Sequence, residues 1–195
     1  MNSLLKLAFL GLAAVLSGCA TVPLTSIVAL SAIQLETTDL AVLRVAARLP
    51  EALRPASDGV SLRTAIGVEG LGETTKDYAL VAVAEPGGPD DGQRIDPGYA
   101  VHVFALSPEA RQGFDAVRRT IAEARAAGRH GSLQLSVSLG QFCSAGPLPE
   151  GPLFLTTLIR TSETGRFVVL SDRVDIRQAP EFADALKQMQ PCPAQ

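Results

Sequence analysis

Cysteine and histidine are the residues of this sequence that could do covalent or acid–base chemistry. The chain has 195 residues, with three cysteines and two histidines. A nucleophilic thiol at Cys143 would need His102 or His130 as its base. No sequence pattern places either histidine beside that thiol, and no CxxC redox pair occurs. The sequence therefore predicts no catalytic residue and favours a protein that is not an enzyme.

His102 is the one weak candidate for a ligand site. It lies in the segment VHVFAL, where strand alternation places it on the same side as Phe104 and Leu106. A single histidine in such a segment is more often a packing residue than a catalyst. The alternative is a small-ligand carrier or a hydrolase, with a cavity between a sheet and a helix around His102. The other histidine, His130 in the turn GRHG, is expected in solvent.

Metal and cofactor sites are not predicted. The histidines lack the HxH or HxxxH spacing of zinc sites. Asp90, Asp91 and Asp96 lie in a loop rich in Gly and Pro, but the ligand order of a calcium loop is absent, which favours a solvated turn. The GxSxG, GxGxxG and P-loop motifs are absent as well. Because catalytic groups need not be local in sequence, these absences weaken the case for an enzyme and do not close it.

The charge of the chain argues against nucleic acid as a partner. Lys and Arg number 17 and Asp and Glu number 20, which gives a net charge of −3. The basic residues form no run, so the sequence offers no patch that would neutralise phosphates.

The third cysteine, Cys19, follows a hydrophobic N-terminal segment. Lys6 supplies a positive charge, and residues 7–15 are an apolar run that is shorter than the about 20 residues needed to span a bilayer. A plain secretory signal or the start of a buried helix would also have this composition. However, Leu16-Ser17-Gly18-Cys19 resembles the lipobox of bacterial lipoproteins in both pattern and position.

The resemblance to bacterial lipoproteins implies export to the cell envelope and a lipid anchor. Residues 1–18 would be a signal peptide that is cut between Gly18 and Cys19. Cys19 would then carry a diacylglyceryl thioether and an acylated amino group, with acyl chains such as palmitate. Ala20, rather than Asp, follows the cysteine, which favours the periplasmic face of the outer membrane over the inner membrane. An envelope protein of unknown identity is the expected partner, beside the membrane itself.

The same compartment bears on the other two cysteines. The periplasm is oxidising, and with Cys19 lipidated only Cys143 and Cys192 remain. We therefore predict a Cys143–Cys192 disulfide that attaches the C-terminal tail to the domain. The chain-entropy estimate for a loop of this size is about 4 kcal/mol, as an upper figure.

Residues 19–35 form an apolar lead-in between the predicted anchor and the domain. Their large apolar side chains favour a short helix or a strand that packs on the domain; contact with the membrane or a partner is the alternative. These side chains are Ile27, Val28, Leu30, Ile33 and Leu35.

The elements that must position these residues are mostly strands. Apolar and polar residues alternate with the period of a half-buried strand in segments 43–49, 60–68 and 132–140. Residues 78–84 are apolar throughout, which predicts a strand covered on both faces. Further strands are predicted at 99–106, 153–160 and 166–170, and charged residues near 172–175 indicate an edge. A short amphipathic helix or turn is predicted over 181–190.

One long helix interrupts the strands. Ser107 is a suitable N-cap, Pro108 a suitable first residue, and Gly128 a suitable end. The pattern predicts a mainly β domain over residues 36–195. We expect an antiparallel β-sandwich or curved sheet of about seven or eight strands with one packed α-helix. The sequence favours a non-enzymatic binding or structural module in the cell envelope, with strand addition at a sheet edge as one mode of binding.

Overall fold

A computed structural model describes residues 24–70, 72–85 and 95–193. The lipobox and the predicted signal peptide lie outside the described residues, as do Asp90 and Asp91. The helices are α1 (Leu24–Ser31), α2 (Pro108–Ala126) and α3 (Ala183–Lys187), with a 3₁₀ turn at Pro180–Phe182. The strands are β1 (Arg44–Pro50), β2 (Leu53–Pro55), β3 (Val60–Val68), β4 (Gly72–Ala82), β5 (Tyr99–Leu106), β6 (Gly131–Leu139), β7 (Phe142–Ser144), β8 (Phe154–Arg160), β9 (Val168–Asp175) and β10 (Gln190–Pro191).

Seven of these strands form one antiparallel sheet that curls into a half-barrel, in the order β6-β3-β4-β5-β1-β8-β9. The strand β4 produces part of this curl, because residues up to Ala79 pair with β3 whereas Leu80 and the next two residues pair with β5. The prediction of a mainly β fold, with a curved antiparallel sheet and a packed helix, is confirmed.

The helix α2 begins and ends where the sequence predicts. The Ser107 Oγ accepts a hydrogen bond from the Ala110 N–H at 3.1 Å, which caps the helix. Gly128 follows the C-terminus with φ +72°, in the left-handed region that glycine adopts without strain. The apolar side of α2 packs across β4 and β6 and fills the main core. Its buried residues are Ala110, Phe114, Val117, Ile121 and Ala124.

The prediction that residues 78–84 are covered on both faces fails at Val81, although Val83 packs against a second apolar cluster on the face away from α2. Tyr78 and Leu80 are buried, and the Tyr78 ring lies 5.5 Å from that of Phe114 on α2. The side chains that alternate with them point away from α2, so Val81 is 43% exposed. A continuous apolar run does not show which faces of a strand are covered; the position of the only long described helix decides that here.

A small second sheet, in the order β10-β7-β2, carries the C-terminal tail. A disulfide joins Cys143 in β7 to Cys192, so the predicted pairing is confirmed. The Cys192 N–H also donates to the Ser144 carbonyl at 2.8 Å, and Phe182 packs on Phe142 with ring centroids 5.9 Å apart. The tail is therefore held by a covalent bond, a strand and an aromatic contact together.

Candidate functional site

His102 lies in a cleft of about 800 Å³ between β5 and the small sheet. The lining includes Glu51 and Arg54 around β2 and the segment 145–147 that follows β7, with no residue of α2. The cleft therefore differs in position from the sequence expectation, which placed a cavity between the sheet and the helix.

The chemistry of His102 is that of a half-buried packing residue. Its Nε2 atom is buried and has no hydrogen-bond partner in the part of the chain that the structure describes. Burial lowers the pKa of His102, and the nearby positive charge of Arg54 lowers it further, against a smaller opposing effect of the Leu53 backbone. The neutral ring is therefore favoured at pH 7. A carrier or hydrolase site at His102 stays a prediction. The burial of Nε2 argues against it, because a catalytic or ligand-binding nitrogen must be reached by the ligand.

The remaining chemical groups are engaged or dispersed. Cys143 is in the disulfide and has no thiol to act as a nucleophile. His130 is exposed, and Asp96 lies 3.7 Å from Arg173 in an ion pair. Within the described ranges, no three His, Cys, Asp or Glu side chains are grouped as metal ligands.

The most unusual surface is the edge strand β6, Gly131–Leu139, which we call the open edge. Its sequence GSLQLSVSL has nine residues, none of them charged and none of them proline. It pairs with β3 in an unbroken register from Val60↔Leu139 to Val68↔Gly131, with no bulge. The sheet order places β6 at one end, so no strand of the described residues pairs with its other side.

The bonds at the two ends of β6 show which backbone groups point outward. The Gly140 N–H donates to the Gly59 carbonyl at 2.8 Å, and the His130 carbonyl accepts from the Glu69 N–H at 2.9 Å. Residues of an antiparallel strand alternate between bonding to one neighbour and to the other. Even-numbered residues of β6 therefore bond to β3, and the odd-numbered ones point their N–H and C=O groups away from the sheet.

Three central residues carry these outward groups: Leu133, Leu135 and Val137. Among the described residues, their outward N–H and C=O groups have no partner; the one outward group of β6 that does is the Gly131 carbonyl, 3.4 Å from Arg125 Nη2. Their side chains pack against the main core yet stay partly exposed, because no further strand covers them. The open edge thus offers six backbone hydrogen-bonding groups beside a half-covered apolar ledge.

The other end of the sheet, β9, is built differently, and we call it the closed edge. The helix α1 packs against it, and its pairing with β8 is interrupted by two register shifts. Thr156 Oγ1 organises this irregular part: it donates to Asp172 Oδ1 at 3.0 Å and accepts from the Arg173 N–H at 3.1 Å. Arg173 itself has φ +50°, and its guanidinium lies 4.1 Å from the Phe154 ring.

The sequence pattern predicts both strands but indicates an edge only at β9. Charged residues near 172–175 indicated the closed edge, whereas the alternation of β6 indicated only that one face is buried. The signal that could have identified the open edge is the absence of charge over nine residues, and this composition is equally typical of an inner strand.

Comparisons with known proteins find no relative of this chain. No protein-family model matches it, and no curated protein or solved structure is significantly similar to it. None of the described helices is both long enough and apolar enough to cross a bilayer. The case for a function therefore depends on the geometry of the surfaces described above.

Proposed function

We propose that this protein is a lipid-anchored, non-enzymatic binding module of the cell envelope, and that its open edge binds an extended segment of a second envelope protein. The observation that carries this proposal is the uncharged, regular, uncovered strand β6. Natural proteins protect such edges with charges, prolines, bulges or covering loops, because an unprotected edge pairs with any available strand. An edge that lacks these devices is suited to strand addition.

A docked strand would complete the bonds that β6 leaves open. It would pair with the N–H and C=O groups of Leu133, Leu135 and Val137, and each such bond contributes a net free energy of about 0.5–1.5 kcal/mol. It would also cover the apolar ledge formed by the same three side chains. Backbone bonds would supply affinity, and the ledge would supply selectivity.

The ledge sets the chemistry of the segment that fits. Leu133, Leu135 and Val137 point to the α2 side of the sheet, while Ser132, Gln134 and Ser136 are exposed on the other side. The docked segment should therefore alternate, with apolar residues on the α2 side. A charge on that side would be buried against the ledge without a counter-ion and would prevent docking.

The anchor is supported by the lipobox resemblance of Leu16 to Cys19, and the intact mass of the protein from native membranes tests it. We expect the loss of residues 1–18, the addition of diacylglyceryl and acyl groups, and two thiols at Cys143 and Cys192 that appear only after reduction. An unlipidated mass would overturn the anchor and leave the open edge to be tested separately.

Photocrosslinking in the native cells tests the docking site. A photoreactive residue at Gln134 on the open edge should give one discrete adduct with another envelope protein, whereas the same residue at Thr74, which is exposed on the inner strand β4, should give none. An adduct of twice the chain mass would show self-pairing and overturn the proposed partner. Equal crosslinking from both positions would overturn the site.

Two lysine substitutions one residue apart provide the matched control. In L135K the charge lies on the ledge, where the free edge lets it reach water but a docked strand would bury it. In S136K the same charge lies on the exposed side. We expect the Gln134 adduct to disappear in L135K and to persist in S136K. If L135K does not fold, as judged by circular dichroism, L133K makes the same comparison.

A further inference from the structure

The helix α1 exposes an apolar stripe. Ser26 is buried, and Ala29 and Leu30 are half-buried on the side that packs toward β9. On the opposite side Ile27 is 49% exposed and Val28 77% exposed, and the exposed residues Ser31 and Ala32 continue the stripe one turn later. Val28 is the most exposed large apolar side chain of the described residues.

The stripe lies in a stretch without charge. Residues 24–35 contain no Lys, Arg, Asp or Glu, and the first charged residue after them is Glu36. A surface helix that faces water normally carries charged residues on its outer side. The absence of any charge beside two exposed apolar side chains suits a contact with an apolar medium.

The short distance in sequence between Cys19 and α1 indicates that this apolar medium is the membrane. Five peptide steps separate Cys19 from Leu24, and each spans at most about 3.6 Å. If Cys19 carries the proposed lipid, α1 begins within about 18 Å of the membrane surface by the same extension. The stripe is then the apolar surface nearest to the bilayer among those that the structure describes.

We infer that the stripe of α1 rests on the lipid surface into which the N-terminal acyl chains insert. This inference depends on the proposed anchor at Cys19 and deepens it, because the contact would give the anchored domain a fixed orientation on the membrane. The contact is made by Ile27 and Val28, and it needs no anionic lipid because the stripe has no basic residue.

The contact orients the sheet relative to the membrane. Since α1 packs against β9, its attachment places the closed edge next to the membrane. The open edge is six strand positions away in the sheet order, at the other end. Because the sheet curls, the start of β6 still lies close to the segment that follows α1: Arg125 contacts both the Glu36 carboxylate and the Gly131 carbonyl.

Spin labels on the full lipidated protein in phosphatidylcholine vesicles test this inference. A label at V28C should lie about 5–10 Å below the phosphate level, with high collision rates for oxygen and low ones for a water-soluble nickel chelate. The matched control is V81C, at an apolar position of β4 that is 43% exposed, whose label should collide freely with the chelate.

The outcomes separate the inference from the anchor on which it depends. A lipidated intact mass with the V28C label as accessible to the chelate as the V81C label would overturn the stripe contact and leave the anchor standing. A mass without lipid would overturn both. A label at A32C should lose its protection when V28D is added, and this variant should stay folded because Val28 is 77% exposed. Retained protection in that variant would also overturn the contact.

Discussion

β9 and β6 end the same sheet, yet their residues differ in charge and in the regularity of their pairing. The closed edge has Asp172, Arg173 and Asp175 along it, two register shifts and a helix packed against it. The open edge has an unbroken pairing register and nine uncharged residues. The charges and register shifts of the closed edge prevent pairing with another strand, and the open edge has neither, although α2 packs on its apolar side.

The chain can therefore protect an edge by charge and irregular pairing, and it does so at only one end of the sheet. A protein that simply tolerated exposed edges would be expected to show the same composition at both. The asymmetry fits the proposed docking surface, because pairing is discouraged at one end of the large sheet and not at the other.

The largest expected effect comes from removing the hydroxyl that organises the closed edge. The isosteric substitution T156V leaves the Arg173 N–H without its acceptor and removes a bond to Asp172. Because Thr156 is only 2% exposed, we expect a loss of about 2–3 kcal/mol in the free energy of unfolding by urea. S136V on the open edge should change it by less than about 0.5 kcal/mol. Equal losses would contradict the contrast between the edges.

Hydrogen exchange should reveal the open edge directly. In the purified protein without a partner, the amides of Leu133, Leu135 and Val137 point to solvent, whereas those of Gln134 and Ser136 bond to β3. We expect the first set to exchange about 100-fold faster than the second. Uniform protection along β6 would mean that this edge is already covered. Adding a partner should protect the odd-numbered amides alone.

The glycine variant should be more stable than the alanine variant at the closed edge, and less stable at the open edge. Arg173 has φ +50°, so R173G relieves the strain that R173A retains. We expect the glycine variant to be the more stable by about 1 kcal/mol in urea unfolding, since both lose the contacts of the guanidinium. At Ser136 in the regular open edge, the free energy of unfolding of S136A should be higher than that of S136G by about 0.5–1 kcal/mol. The same ranking at both positions would contradict the difference in regularity.

The smallest effect concerns pH. Burial acts to raise the pKa of Glu163, in the β8–β9 turn, but hydrogen bonds with Thr161, Thr38 and Ser162 outweigh it and hold the pKa below its ordinary value of 4.5. A lowered carboxyl pKa stabilises the fold above the unfolded value, and the effect is lost as pH falls through the folded pKa. The stability difference between the wild type and E163Q should therefore be present at pH 7 and shrink below about pH 4.5.

The control for this prediction lies on the open edge. β6 has no titratable side chain, so the difference in unfolding free energy between the wild type and S136A should be the same at both pH values. A constant difference for E163Q would show that the ionised carboxylate of Glu163 does not contribute to holding Thr38.

Much of the fold could be predicted from local patterns. The segments 43–49, 60–68 and 99–106 coincide with β1, β3 and β5 within one residue, because alternation of apolar and polar side chains is a property of each strand alone. The exposed polar start of β4, Gly72 to Asp77, gave no such signal. The short strands β2, β7 and β10 were missed as well, since two or three residues cannot show a period.

The candidate site could be predicted only in part. The cysteine count and the implied compartment sufficed for the Cys143–Cys192 pair, which the structure confirms. They could not show that His102 would face the small sheet, because β2 and β7 meet only after distant parts of the chain fold together. The exposure of the α1 stripe could not be predicted for the same reason, because it depends on which side of the helix packs against β9.

Local sequence patterns suffice for most of the longer strands, the long helix with its N-cap, the disulfide and the resemblance of Leu16 to Cys19 to a lipobox. Each of these follows from neighbouring residues or from residue types. Tertiary contacts place β6 at the end of the sheet, α1 against β9 and Val28 toward the outside. Strand order and cover depend on contacts between residues far apart in sequence, and a segment with the same pattern can lie inside a sheet or at its edge.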